Sequence, residues 1–176
     1  MKVKSKLNLE GFEACFRTID THTGGEPTRI VVSGFPKLKG NTLMERKKYA
    51  QKHFDNYRKA IMLEPRGHNN MFGALITEPI NPDAHFGVIF MDKGKFLNMC
   101  GHGTIGIATV AVETGIVKAV GPYTEVVIET PIGMIHTNVK VENNKAMEVT
   151  LTNVPSFLYK EKLEVKVDGT VIPYDI

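Results

Sequence analysis

The chain has 176 residues, 42% hydrophobic and 23% charged, with a formal net charge of +3. That length suffices for one ordinary domain with a buried core. The surplus basic residues, in Met1–Lys6 and Arg46–Lys59, lack the clustering of a nucleic-acid footprint, and no apolar run approaches a membrane span.

Phe12–Ile19 is predicted to form a strand, which places Cys15 in core-packing surroundings. Arg29–Val32 is predicted as a second strand. Between them, Thr21-His22-Thr23-Gly24-Gly25-Glu26-Pro27 reads as a polar, glycine-bearing loop. Thr42 and Glu45 make a capping-box pattern at a helix start. Leu43, Ala50, Phe54, Tyr57 and Ile61 follow at helical spacing, so one amphipathic helix is expected, its basic residues on a solvated face. Pro65 stops it, because proline removes a donor and disfavours helix at Glu64. Met71–Glu78 and Phe86–Asp92 are expected as short strands, separated by the turn signal Pro79-Ile80-Asn81-Pro82.

The stretch Met99-Cys100-Gly101-His102-Gly103-Thr104-Ile105-Gly106 comes next, leading an apolar run through Val112 to Gly115. It predicts a buried helix whose first turn holds cysteine, glycine and histidine. The first amides of a helix have no partner within it, and with the helix dipole they attract an anion. The same field is expected to lower the pKa of the Cys100 thiol. A carboxylate docked on Gly101, His102 and Gly103 would then lie beside an activated sulfur, and Cys100 is expected to alkylate faster than Cys15. The plainer alternative for Cys100 is a buried structural thiol.

Further strands are expected at Glu125–Glu129, Ile132–Val141, Ala146–Thr152, Leu163–Val167 and Thr170–Tyr174. Many strands with one all-apolar helix imply a helix wrapped by sheet, an α+β architecture. A strand that ends the chain leaves an exposed edge, which whole proteins avoid, so the chain is expected to be half of something. Two cysteines far apart, without the apolar core of a signal peptide, point to free thiols in the cytoplasm. The spacings of His22, His68 and His85 match no zinc pattern, so hydrogen-bonded loop histidines and no metal are expected. Cys100 and His102 are too close in sequence for a protease dyad.

Six blocks closely resemble the proline racemase family. They are Asp20-Thr21-His22-Thr23-Gly24-Gly25-Glu26-Pro27, Met62-Leu63-Glu64-Pro65-Arg66-Gly67-His68, Asn69-Asn70-Met71-Phe72-Gly73-Ala74, Phe90-Met91-Asp92, Leu97-Asn98-Met99-Cys100-Gly101-His102-Gly103 and Asn153-Val154-Pro155-Ser156-Phe157-Leu158-Tyr159. The resemblance runs from about Arg17 to Ile176. It implies a fold like diaminopimelate epimerase, with mostly antiparallel sheet around a central helix in each of two lobes and substrate between them. On that reading residues 1–166 form the first lobe, and 167–176 begin a second lobe that carries another cysteine and lies outside this sequence.

The resemblance implies racemisation of proline by two thiols without a cofactor, one thiol being Cys100. The amides of Gly101 and His102 would hold the substrate carboxylate, and the His102 imidazole would tune the sulfur. Phe72 matches a position that helps separate proline from hydroxyproline substrates in that family; taken alone, it is equally an aromatic on a buried strand face. Arg66 and Glu64 are expected to brace the loop beneath the Cys100 helix. Hydroxyproline epimerase and trans-3-hydroxyproline dehydratase lobes are the alternatives, and a non-catalytic lobe is a third. The small-molecule substrate is the expected partner, together with a second copy of the chain in a homodimer.

Overall fold

The computed structural model describes residues 10–176; the basic Met1–Lys6 stretch lies outside them. The first hairpin is made by β1, Arg17–Thr23, and β2, Glu26–Ser33, which pair antiparallel with Thr23 opposite Glu26. The predicted Thr21–Pro27 loop is therefore mostly strand. Gly24 and Gly25 both take positive φ, 60° and 97°, and close the hairpin in two residues. The expected strand at Phe12–Ile19 begins only at Arg17, so Cys15 precedes it and is exposed rather than packed in the core.

Thr42 caps α1, Leu43–His53, by accepting the Glu45 amide at 3.1 Å. Glu45 completes the reciprocal arrangement one residue early, on the Asn41 amide at 2.8 Å. The expected single helix is broken at Phe54, whose non-helical backbone separates α1 from α2, Asp55–Met62. The break brings the Phe54 ring among Phe35, Tyr49 and Tyr57, at centroid distances of 5.7 to 5.9 Å. Arg58 is another departure. It is buried rather than solvated, and its guanidinium donates to Asp55 and to the carbonyls of Asp92 and Lys93.

Next come β3, Phe72–Thr77; β4, Phe86–Asp92; β5, Phe96–Leu97; α3, Gly101–Glu113; β6, Tyr123–Thr130; β7, Gly133–Glu142; and β8, Lys145–Thr152. One mixed sheet runs β1-β2-β3-β4-β6-β7-β8, with β5 added to β4. Its pairs are antiparallel except β2 with β3 and β4 with β6. The β7–β8 turn, Asn143-Asn144, has φ of 51° and 61°, which asparagine tolerates better than most residues.

Strands β2 to β4 are buried on both sides, which explains their nearly continuous apolar sequence. Alternate side chains divide two cores. Ile30, Ala74, Val88 and Phe90 pack with α3, whereas Val31, Leu75, Ile89 and Met91 pack beneath α1 and α2. Helix α3 touches β1, β2, β3, β6, β7 and β8. It buries Ile107, Val110 and Val112, each worth about 1.5–3 kcal/mol of apolar transfer. This is the α+β, sheet-wrapped helix expected from its all-apolar sequence.

Past β8 the chain leaves the large sheet. Strands β9, Leu163–Val167, and β10, Thr170–Tyr174, form a separate two-stranded sheet. On one face of this hairpin Leu163, Val165 and Val167 stand opposite Tyr174, Ile172 and Thr170. Val165, Val167, Ile172 and Tyr174 are each between 43% and 48% exposed, a largely apolar face turned to solvent.

Candidate active site

Cys100 is the N-cap of α3. Its extended backbone (φ −154°, ψ 129°) brings the sulfur back over the first turn, where it accepts the Gly103 amide at 3.4 Å. Serine, threonine, aspartate or asparagine ordinarily serves this position; here sulfur takes the place of oxygen. The Thr104 hydroxyl donates to the Cys100 carbonyl at 2.7 Å and fixes the cap from below. His102 Nδ1 lies 3.1 Å from Cys100 Sγ. His102 Nε2 is buried without a hydrogen-bond partner among the described residues, an exception that native structures seldom carry.

The predicted neighbours do meet. Phe72, at the start of β3, stands edge-on to the His102 ring with centroids 4.6 Å apart, and lies 5.9 Å from Phe90. These two phenylalanines enclose Gly103, where an added Cβ would come 2.8 Å from Phe90 and 3.1 Å from Phe72. Gly101 is the opposite case, with nothing within 4 Å of a built Cβ. A ligand can therefore approach the backbone at Gly101, whereas the Gly103 amide is already engaged by sulfur.

One electrostatic expectation is reversed. Burial pushes the Cys100 thiol above its ordinary range, outweighing the Gly103 and His102 amides that favour the thiolate; the charge of Glu26 pushes the same way. Helix-start amides do act on the sulfur, but desolvation is the larger effect. Cys100 remains half-buried rather than sealed.

Three participants escaped the sequence reading: Thr23, Glu26 and Asn70. The Thr23 hydroxyl donates to the His102 carbonyl at 3.0 Å. Asn70 Nδ2 donates to both carboxylate oxygens of Glu26, at 3.3 and 3.2 Å. The usable signal was the Gly24-Gly25 pair. Read as a two-residue turn, it places Thr23 and Glu26 opposite each other on one face.

The histidines behave as hydrogen-bonded groups. Nδ1 of His22, His68 and His85 accepts the amides of Gly25, Asn70 and Val127 respectively. His22 does so from the end of β1 rather than from a loop. Arg66 ties its own loop to α2 and β2: its Nε donates to the Ala60 carbonyl at 2.6 Å, and its own carbonyl accepts from Arg29. A groove of about 690 Å³ opens on that side, between Phe16, Arg29, Tyr57 and Arg66, and no residue of the Cys100 site lines it.

The Cys100 thiol, the His102 imidazole and the open backbone at Gly101 thus meet at the first turn of the sheet-wrapped α3. Residues 18–176 match the family model described as proline racemase, and the chain belongs to that family. It is 55% identical to a proline racemase of Clostridioides difficile over 94% of this chain and 50% of that protein. It is 42% identical to a trans-3-hydroxy-L-proline dehydratase of Colwellia psychrerythraea over 97% of this chain and 48% of that one. Among solved structures, a probable proline racemase of Agrobacterium radiobacter K84, with bound carbonate, superposes with a TM-score of 0.86 at 27% identity. That match covers 92% of this chain and 48% of the other. The chain thus spans about half the length of the curated relatives it matches.

Proposed function

We propose that this chain supplies the Cys100 lobe of a cytoplasmic, cofactor-independent proline racemase. Inverting an α-carbon removes a proton from one face and returns one to the other, so two groups must flank the carbon. Cys100 is the group for one face. The amides of Gly101 and His102 hold the substrate carboxylate, where negative charge builds as the proton leaves. Phe72 walls the ring pocket, and its size suits unsubstituted proline. The observation that carries this reading is Cys100 at the α3 N-cap, with His102 Nδ1 3.1 Å from its sulfur and open backbone at Gly101.

The opposite face belongs to a second lobe. On this proposal residues 1–166 are assigned to the first lobe and 167–176 to the start of the second; that boundary falls at the end of β9, inside the β9–β10 hairpin, whose apolar face is exposed. A second copy of the chain is the expected partner in a dimer. With one thiol in place, the isolated chain turns over little proline. Polarimetry of L-proline with the purified chain tests this, and robust inversion would defeat the two-lobe reading. A lobe of a hydroxyproline epimerase or dehydratase is the competing assignment, favoured by the 42% identity to a dehydratase over nearly all of this chain. Comparing full-length proteins that carry this lobe on L-proline and trans-3-hydroxy-L-proline separates the two.

A further inference from the structure

A single peptide unit, between His102 and Gly103, links the end of β1 to the thiol. Its N–H, on Gly103, donates to Cys100 Sγ at 3.4 Å. Its C=O, on His102, accepts the Thr23 hydroxyl at 3.0 Å. The two partners therefore sit at opposite ends of one resonance-coupled amide. A donor on the carbonyl oxygen draws electron density from the nitrogen and makes the N–H a stronger donor in turn. Hydrogen bonds arranged in such a chain strengthen one another, most of all away from water. Gly103 is buried.

The surroundings fix this unit in place. The rings of Phe90 and Phe72 close on Gly103, at 2.8 and 3.1 Å from a built Cβ. At Gly106 the missing side chain lets β1 approach α3, since a Cβ there would lie 2.7 Å from Thr21 Oγ1. Alternation places Thr21 and Thr23 on the same face of β1. Thr21 donates to the Thr28 carbonyl across the hairpin at 3.2 Å, which steadies the strand that carries Thr23.

The ionisable groups around α3 form a constant background to this contact. His102 Nδ1 lies 3.1 Å from the sulfur, and the charge of Glu26 opposes ionisation. Asp20 pairs with Arg29, and His22 accepts the Gly25 amide. Strand β3 carries no charge. Glu129 accepts the Ile80 and Asn81 amides, Glu125 meets His136, and Lys140 meets Glu142. Lys145 pairs with Glu113 at the far end of α3, and Arg17, Tyr123 and Glu148 are exposed.

We propose that Thr23 is a positioning residue that, through the His102–Gly103 peptide, strengthens the Gly103 amide's hold on the Cys100 sulfur and favours its thiolate. The contribution works against burial, which stays the larger influence on the thiol. The first hairpin thus tunes the acid–base group as well as enclosing it. The inference rests on Cys100 being the proton carrier, but its test reads thiol ionisation rather than turnover.

The experiment is iodoacetamide alkylation of the whole chain across pH, resolved at Cys100 by peptide mass spectrometry. In Thr23→Val the midpoint of the Cys100 profile rises by about 0.3 pH unit and the rate below it falls about twofold, as expected for losing roughly a tenth to a third of one charge-assisted hydrogen bond. The rates converge at high pH, where all the sulfur is ionised. Thr23→Ser keeps the hydroxyl and restores the native profile. Thr28→Val is the control, because the Thr28 hydroxyl is buried without a hydrogen-bond partner among the described residues. It leaves the Cys100 profile where it was, and the Cys15 rate is unchanged throughout. The Gly103 amide proton gives a second reading by NMR: it moves upfield in Thr23→Val and stays in place in Thr28→Val. A folded Thr23→Val variant whose Cys100 profile overlays the native one overturns the proposal. So does an equal shift in Thr28→Val, or a Gly103 amide proton that does not respond to Thr23→Val. Each of these failures leaves the proton-carrying role of Cys100 to be decided separately, by α-proton exchange.

Discussion

Thr23 and His102, 79 residues apart in sequence, are joined by a 3.0 Å hydrogen bond from the Thr23 hydroxyl to the His102 carbonyl. The bond registers the first hairpin against the helix that carries the thiol, so the site is assembled from the sheet edge as well as from α3. Thr23→Val keeps the shape and removes the donor. It is expected to cost about 1 kcal/mol in urea unfolding and to change the Cys100 alkylation rate, while Cys15 stays as it was. An unchanged unfolding midpoint would show that the bond contributes nothing.

The two glycines flanking His102 should respond oppositely to alanine. At Gly103 the new methyl meets the rings of Phe90 and Phe72 at 2.8 and 3.1 Å. Overpacking of this kind costs about 1–3 kcal/mol, visible as a lower melting temperature. At Gly101 the methyl meets nothing within 4 Å. Stability should change by less than about 0.5 kcal/mol, while carboxylate binding by a full-length protein carrying the lobe weakens. Equal melting temperatures for the two variants would contradict this packing.

Arg58 and Asp55 make a pH-dependent contribution. The hydrogen bond from Arg58 holds the Asp55 carboxyl below the usual aspartate range, with help from Lys59. The folded state therefore binds the proton less readily than the unfolded state. The contribution is complete above the ordinary value near 4 and fades as pH falls through the lower folded value. Asp55→Asn should flatten that part of the stability profile, measured by urea unfolding between about pH 6 and pH 2. Arg58→Leu also strips the carbonyls of Asp92 and Lys93 of their donor and should cost about 2–4 kcal/mol.

The two cysteines should label in the order opposite to the one their sequence surroundings suggest. Cys15 is exposed; Cys100 is half-buried and its thiol is pushed up by desolvation. At pH 7.5 iodoacetamide is expected to modify Cys15 first, and Cys100 should catch up only as pH rises. Faster labelling of Cys100 at neutral pH would mean that the helix field outweighs burial after all.

The contrast shows where the sequence was legible. The apolar stretch after Cys100 reads as a buried helix, β4 as an apolar run bounded by turn residues, and the strands from β6 to β10 followed from alternation and turn residues. Cys100, His102 and Phe72 do come together. What local pattern did not reveal depended on distant packing. The break at Phe54 answers to an aromatic cluster that includes Phe35, the burial of Arg58 to carbonyls after β4, and β5 to a pairing two residues long. Cys15 sits among apolar neighbours, yet its strand starts two residues later. The thiol's shift is not legible locally, because amide fields are visible in sequence while desolvation is a property of the assembled core.

The central claim is that Cys100 carries the proton at one face of the substrate. Its most direct test is exchange of the α-proton of proline in deuterated water, using this chain fused to the half of the Clostridioides difficile relative that it does not match. The fusion should incorporate deuterium and invert proline, and Cys100→Ser should lower both rates by at least about a thousandfold. Undiminished exchange in the folded Cys100→Ser fusion would contradict the assignment.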